Sequence, residues 1–241
     1  MSDALAREHR TVSRVTTILE AAGQSRDGVR LAGLASLLGA PKSSVHGLVK
    51  GLVATGYLEE QAGVYRLGPA LDVLVRPARA EFTLSARRAL ENLQRSLDET
   101  AILCRLVGDA VVYVEMVESG QLIKYSAPLH RRRPLYPTSS GKCFLAHFSP
   151  RRRDAYLAEH VEAARRPLIV EELDRVREQG YAVNRGETVP DVSAAASPIL
   201  VQGRVVACLA VAGPSARITD ELDRVAAEIR VEAARVAQGR F

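Results

Sequence analysis

The sequence predicts an α+β protein in which an N-terminal winged helix-turn-helix precedes a second domain of mixed helices and strands. Two observations support this fold class. Three short segments with helical apolar spacing are followed by two apolar segments joined by a polar turn, and later segments alternate or run apolar between glycine-containing turns. The 241 residues, 47% of them hydrophobic and 25% charged, suffice for two compact domains.

The first three elements are predicted to be helices. Residues 11–22 carry apolar side chains every three to four positions before GQSRDG ends the helix, and RLAGLASLLG repeats that spacing over a shorter length. The third helix lies in LGAPKSSVHGLVKGL, residues 38–52. We expect Pro41 in its first turn, and Ser43 and Ser44 to cap its exposed amides.

A β-hairpin is predicted next, because YLE and VYRLG are joined by a polar turn that ends in Ala62 and Gly63. Three helices followed by a hairpin is the element order of a winged helix-turn-helix. The third helix would then enter the major groove with small and hydrogen-bonding side chains. The candidate DNA contacts are Pro41, Lys42, Ser43, Ser44, His46, Lys50 and Arg66.

Net charge does not by itself locate a nucleic-acid surface. The chain carries +5 at pH 7, but residues 1–75 hold eight Lys and Arg against seven Asp and Glu, a net of +1. The runs Arg131–Arg133 and Arg151–Arg153 are more simply explained as solvated faces in an arginine-rich chain. DNA binding is therefore predicted from the order of the elements.

Composition argues against membrane, metal and secreted disulfide proteins. No run of eighteen apolar residues occurs and MSDALAREHR lacks the apolar core of a signal peptide, so we expect a cytoplasmic protein with no membrane partner. Cys104, Cys143 and Cys208 are odd in number and lack zinc-site spacing. They are expected to be small buried hydrophobes, with neither metal nor cofactor bound.

The second domain is predicted to hold a helix near residues 84–97 and a final helix over Thr219–Gln238. Between them we expect strands in AILCRLVG, AVVYVEMV, QLIKYSAP, GYAVNRGE, VSAAASPILV and RVVACLAVAG, with Gln202 and Gly203 as the turn between the last two. PTSSGKCFL opens an apolar helix whose first amides suit an anion. Alternatively, Thr138 or Ser139 simply caps that helix.

Several quoted stretches together resemble the IclR family of bacterial transcriptional regulators. ILEAAG and LAGLASLLGAPKSSVHGLVKGLVATGYLEEQAGVYRLGPAL resemble its N-terminal domain, and VVYVEMVES, RRPLYPTSSGKCFLA, LDRVREQGYAVNRGE and VVACLAVAGPSARIT its C-terminal domain. The resemblance implies a winged helix-turn-helix over residues 8–68, a linker helix over 69–82, and an effector-binding and oligomerisation domain with a GAF-like antiparallel sheet over 83–241.

The resemblance also implies how such a protein works. A homodimer or tetramer would bind a near-palindromic double-stranded DNA operator, more often as a repressor, and a small-molecule effector would alter operator affinity. By the same resemblance, the effector pocket is expected at Tyr125, Ser139, Ser140, Gly141, Asn184, Glu187, Val192, Ala194, Ala210 and Ala212.

Some residues depart from the family pattern, both in the expected effector pocket and in the helix expected to contact DNA. Relatives often carry an acidic residue where Asn184 stands, and small hydroxyl residues where Ala210 and Ala212 stand, so we expect an effector larger or more apolar than a two- or three-carbon keto acid. His46 and Gly47 occupy positions where relatives commonly carry arginine. A bidentate guanine contact from this part of the helix is therefore not expected.

Two other function classes remain open at the level of sequence. An enzyme could use His130, Cys143 or Glu187, with Cys143 as a nucleophile, but FLAHF puts this cysteine in an apolar helix and no spacing suggests a positioned base. A protein-interaction module with a vestigial helix-turn-helix is the other alternative, since one winged helix of net charge +1 binds DNA weakly by itself.

Overall fold

The computed structural model describes residues 9–74 and 78–239. The chain divides into two compact units between residues 79 and 80.

The N-terminal unit is a three-helix domain with a small antiparallel sheet, as predicted. Its elements are α1 (Arg10–Gln24), β1 (Val29–Arg30), α2 (Leu31–Leu37), α3 (Lys42–Ala54), β2 (Leu58–Gln61), β3 (Val64–Leu67) and α4 (Ala70–Leu74). The strand order is β1-β3-β2. Strand β1 was not predicted, because a two-residue strand carries no periodicity.

The wing hairpin has the turn that the sequence indicates. Ala62 and Gly63 both adopt left-handed backbone, with φ of 50° and 72°, as a two-residue hairpin turn requires. The core beneath the wing joins all three main helices to both hairpin strands through the buried side chains of Ile18, Leu34, Val45, Val49, Leu58 and Tyr65.

The start of α3 differs from the prediction. Pro41 is the N-cap residue, one position before the first turn, with an extended ψ of 139°. No side chain caps the helix by a hydrogen bond, so the expected capping role of Ser43 and Ser44 is wrong. Both serines lie inside the helix, past the position from which a hydroxyl reaches the first free amides.

The C-terminal unit is built on a six-stranded antiparallel sheet of order β6-β5-β4-β9-β8-β7. Its helices are α5 (Ala78–Leu97), α6 (Ser139–Ala146), α7 (Pro150–His160), α8 (Arg166–Gln179), α9 (Ser215–Ile218) and α10 (Leu222–Gln238), with a 3₁₀ turn at Ala163–Arg165. The strands are β4 (Thr100–Val107), β5 (Ala110–Val117), β6 (Arg132–Pro134), β7 (Ala182–Arg185), β8 (Val192–Val201) and β9 (Arg204–Pro214).

Helices cover both faces of this sheet. Strand β4 shows the division, because Ala101 and Leu103 pack with α5 and α10, whereas Ile102 and Cys104 pack with α6 and α8. This alternation follows from the two-residue period of a strand. The predicted antiparallel sheet with flanking helices is confirmed.

Two elements of this unit differ from the prediction. QLIKYSAP forms no strand, because its carbonyls bond elsewhere: Tyr125 O accepts from Thr100 Oγ1 at 2.7 Å and Ile123 O accepts from Arg217 Nη2 at 2.9 Å. The edge position beside β5 belongs to β6 instead. Helix α10 begins at Leu222, three residues after the predicted Thr219, which ends α9 as its C-cap.

The predicted linker helix over 69–82 covers parts of two helices. Helix α4 ends at Leu74 and α5 begins at Ala78, and the intervening residues, including Val75, lie outside the described residues. Helix α5 then continues to Leu97, so the predicted domain boundary between 82 and 83 falls inside a helix.

Candidate DNA-binding face and ligand cleft

Helix α3 has one buried and one exposed face. Val45 and Val49 are fully buried and Leu52 is nearly so, which fixes the helix on its own domain. The opposite face exposes Lys42, Ser43, Ser44, His46, Gly47 and Lys50. The predicted recognition residues on α3 therefore lie together and are accessible to a groove.

Two of the predicted DNA contacts also have partners inside the protein. Lys50 Nζ lies 2.9 Å from Glu60 Oε2 on β2, and this hydrogen bond raises the pKa of Lys50. Arg66 Nη2 on β3 donates to the Asp27 carbonyl at 3.0 Å. The Lys50–Glu60 pair joins α3 to β2, so a DNA contact by this lysine would require it to share its charge with Glu60 or to exchange partners.

Two glycines make the exposed face of α3 shallow. Gly47 and Gly51 are both exposed, and a Cβ atom built on either one meets nothing within 4 Å. Packing inside the protein therefore does not require glycine at these positions. Without side chains, the helix backbone can approach a surface closely here.

The C-terminal unit contains a narrow cleft at one end of the sheet, with an internal volume of about 30 Å³, or about 340 Å³ when the space open to solvent is included. It is lined by Tyr113, Tyr125, Thr138, Ser139, Asn184, Thr188, Val189, Val192, Ala194 and Ala212. Six of these were predicted: Tyr125, Ser139, Asn184, Val192, Ala194 and Ala212. The other four predicted residues, Ser140, Gly141, Glu187 and Ala210, do not line it.

Cross-strand pairing builds the floor of the cleft. Ala194 on β8 pairs with Ala212 on β9 on one side and with Asn184 on β7 on the other, so the three form one row across the sheet. The next row on this face pairs Ala196 with Ala210, two residues further along both strands from the row that lines the cleft. This register explains why Ala212 lines the cleft whereas Ala210 does not.

The N-terminus of α6 forms one edge of the cleft. Thr138 is the N-cap, and its Oγ1 accepts from the Gly141 amide at 3.1 Å, as the capping alternative predicted. The amides of Ser139 and Ser140 occupy the first two helical positions and make no intrahelical hydrogen bond. Since a helix N-terminus carries partial positive charge, this edge suits an anionic group.

Gly141 has a packing role. A Cβ atom there would lie 1.8 Å from the Leu135 carbonyl oxygen, so only glycine allows α6 to pack this closely on the preceding segment. Ser140 also lies inside the core: its carbonyl accepts from Cys208 Sγ at 3.7 Å, and its side chain is 1% exposed.

Asn184 has its polar atoms committed to neighbouring loops. Its Nδ2 donates to the Pro137 carbonyl at 2.8 Å and to Thr188 Oγ1 at 2.7 Å, while its Oδ1 accepts from the Glu187 amide at 3.1 Å. The asparagine therefore positions the wall of the cleft around residues 187 and 188.

Tyr113 and Tyr125 make another wall of the cleft aromatic. Burial raises the pKa of Tyr113 well above its usual range, so its phenol stays neutral. The Arg133 guanidinium lies 4.4 Å from the centre of the Tyr113 ring, and Arg133 Nη2 donates to the Pro128 carbonyl at 3.1 Å. A cation stacked on this ring holds it in place.

Glu187 belongs to an ion cluster around a buried lysine, which the sequence did not reveal. Lys142 on α6 is 1% exposed, and its Nζ lies 2.7 Å from Glu172 Oε1 on α8 and 2.7 Å from Glu187 Oε2. It also donates to the Val183 carbonyl at 3.0 Å. The available signal was one lysine inside the otherwise small and apolar helix SSGKCFLA.

The described residues offer little to the enzyme alternative. Cys143 is fully buried and its Sγ–H donates to the Ala196 carbonyl at 3.4 Å. Cys104 is also buried, which raises its pKa to about 12, so that thiol is protonated at neutral pH. Within residues 9–74 and 78–239, no group of His, Cys, Asp or Glu is arranged to hold a metal ion. No helix there is long and apolar enough to cross a membrane.

Two family descriptions together match nearly the whole chain. Residues 11–62 match the IclR helix-turn-helix domain, and residues 78–238 match the C-terminal domain of the bacterial transcriptional regulator IclR. The transcriptional regulator TtgV of Pseudomonas putida is 28% identical over 221 residues, which cover 89% of this chain and 85% of TtgV.

Solved structures give the same architecture. An IclR transcriptional regulator from Alicyclobacillus acidocaldarius is 25% identical with a TM-score of 0.76, over 96% of this chain and 98% of its own. An IclR homolog from Microbacterium hydrocarbonoxydans, complexed with 4-hydroxybenzoate, has a TM-score of 0.77 over 95% of this chain and 98% of its own. At 22% identity, that second likeness concerns the fold alone.

Proposed function

Because this chain belongs to the IclR family of bacterial transcriptional regulators, we propose that it is a repressor whose operator affinity is controlled by a carboxylate effector bound in the cleft of the C-terminal unit. The proposal that this protein binds DNA depends on one observation, that α3 has one buried and one exposed face. Three buried aliphatic side chains fix the helix, and its opposite face exposes small polar residues.

Base contacts are assigned to Ser43, Ser44 and His46, and phosphate contacts to Lys42, with Pro41 fixing the approach of the chain. Lys50 and Arg66 contribute from the junction of the helix with the wing. Because one such unit carries a net charge of only +1, useful affinity requires at least two copies on a near-palindrome. A homodimer or tetramer would place the two recognition helices about 34 to 36 Å apart, one turn of DNA.

The effector class follows from the chemistry of the cleft. The N-terminus of α6, where Ser139 lines the cleft, favours a carboxylate, whereas the floor of alanines and the walls of Tyr113 and Tyr125 favour an apolar or aromatic body. Lys142 is not available as an anion anchor, because two carboxylates already bind its ammonium. The chemistry of this lining suits an aromatic or branched monocarboxylate better than pyruvate, and such a ligand would enter only if the cleft widened beyond its internal volume of about 30 Å³.

Effector binding can change operator affinity only if the effector binds the DNA-competent arrangement and its alternative with different affinities. Repression is tested by comparing transcription of the neighbouring genes in cells with and without the protein. Repression predicts higher expression when the protein is absent, and activation predicts lower expression. The effector class is tested by calorimetry with 4-hydroxybenzoate as a probe that joins a carboxylate to a ring, compared with benzyl alcohol, which lacks the carboxylate.

A further inference from the structure

The loop between β7 and β8, residues 186–191, forms part of one wall of the cleft through Thr188 and Val189. Its residues 187–191 are all exposed. Three backbone hydrogen bonds hold its ends: the Gly186 amide donates to the Val192 carbonyl at 3.1 Å, the Val192 amide to the Val189 carbonyl at 3.2 Å, and the Ser215 amide to the Asp191 carbonyl at 2.8 Å. A segment with so little packing has a low free energy of local opening.

Besides the bond from Ser215 at its end, two side chains hold this loop against the rest of the unit. Lys142 Nζ binds both carboxylate oxygens of Glu187, at 2.9 and 2.7 Å, and Asn184 donates to Thr188 Oγ1. The two ends of the loop, Gly186 and Asp191, have left-handed φ values of 74° and 60°. Residues at the ends of such a segment can absorb a backbone rotation when it moves.

The ion cluster contains one more carboxylate than its ammonium needs. Lys142 is buried and therefore needs a counter-charge, but Glu172 on α8 supplies one at 2.7 Å without involving the loop. If Glu187 leaves, the Lys142–Glu172 pair remains neutral. If Glu172 were absent, departure of Glu187 would leave a buried, unpaired ammonium.

We propose that the Lys142–Glu187 ion pair is a latch that holds loop 186–191 at the effector cleft, and that Glu172 keeps Lys142 neutralised while the latch is open. The loop is then the movable wall through which effector enters, and helix α6 carries both the latch lysine and the edge of the cleft. This inference rests on the proposed effector function, which assigns the cleft its ligand.

The latch predicts opposite effects on the mobility of the loop when Glu187 and Glu172 are each replaced by glutamine. Glu187→Gln removes the loop's ionic tether, so the hydrogen-bonded backbone amides of Gly186, Glu187 and Val192 should exchange with deuterium about tenfold faster, as for the loss of one charge-assisted hydrogen bond. Glu172→Gln leaves Glu187 as the sole counter-charge, so the same amides should exchange more slowly than in the unaltered protein. Lys142→Met should resemble Glu187→Gln.

Hydrogen exchange of the full chain, without effector or DNA, measures these changes by mass spectrometry. Amides in α10 report whether each variant keeps its fold. Faster loop exchange in Glu187→Gln with slower exchange in Glu172→Gln supports the latch. A shift of both variants in the same direction, as ordinary destabilisation would give, or no shift in either, overturns it. If Lys142→Met fails to fold, the two glutamine variants still decide. Since no effector is present, failure of the effector proposal is measured separately by the calorimetry.

Discussion

Adding one methyl group to the recognition helix should stabilise the protein and weaken its DNA binding. Gly47 lies in the interior of α3, where glycine costs about 0.5–1 kcal/mol relative to alanine. A Cβ atom there meets nothing within 4 Å, so Gly47→Ala should raise the free energy of unfolding by about that amount. Far-UV circular dichroism during urea unfolding measures this change.

The same Gly47→Ala substitution should lower the affinity for operator DNA. If the helix backbone at residue 47 lies against base edges, the added methyl overfills that contact, which costs about 1–3 kcal/mol, or about fivefold to 150-fold in the dissociation constant. Gly51→Ala should have a smaller effect, because the N-terminal part of a recognition helix makes the base contacts. Fluorescence anisotropy with labelled operator DNA measures both variants.

The control is Gly33→Ala in α2, another exposed helical glycine with nothing within 4 Å of a Cβ atom. It should gain similar stability and keep its operator affinity. Unchanged or tighter binding by Gly47→Ala would refute the close approach of α3 to DNA, since added helix stability alone cannot weaken binding.

Four further predictions concern the recognition of bases by α3, the packing at Gly141, the reactivity of the buried thiols and the size of the effector. His46→Ala should cost about 1–3 kcal/mol on the cognate site and relax sequence preference, whereas Lys42→Ala should weaken all sequences alike; equal losses on cognate and random DNA for both would contradict this assignment. Gly141→Ala should lower the melting temperature strongly, because its Cβ would lie 1.8 Å from the Leu135 carbonyl oxygen; an unchanged melting curve would contradict this packing. The buried thiols should not react with Ellman's reagent at pH 8 until the protein unfolds, since the pKa of Cys104 is raised to about 12 and its thiolate becomes the major form only above that pH; fast labelling of the folded protein would show otherwise. Glyoxylate and pyruvate should show no micromolar binding by calorimetry, and such binding by either would remove the argument for an apolar effector.

Local signals predicted much of the fold. The turns at Ala62–Gly63 and Gln202–Gly203 were predicted because two left-handed residues in a hairpin favour small or polar side chains, and all four have positive φ. The helical face of α3 was predicted because Val45, Leu48, Val49 and Leu52 repeat at helical spacing. Such signals depend on a few neighbouring residues and need no tertiary information.

Pairing partners and remote contacts could not be predicted in this way. QLIKYSAP has an apolar pattern suited to a strand, but sequence alone does not show that Thr100 and Arg217 take its carbonyls. The two carboxylates on Lys142 lie 30 and 45 positions away in the chain, so no local spacing joins them. Similarly, the register that separates Ala210 from Ala212 is known only once β8 and β9 are paired.

Selection of sheared genomic DNA by the purified protein at physiological salt, followed by sequencing of the retained fragments, tests the central claim most directly. We expect a near-palindromic site with half-sites about one helical turn apart, located near the genes that the protein controls. Sequence-blind retention that disappears as salt rises would contradict it, because helix α3 and the wing would then make only a nonspecific electrostatic contact with DNA.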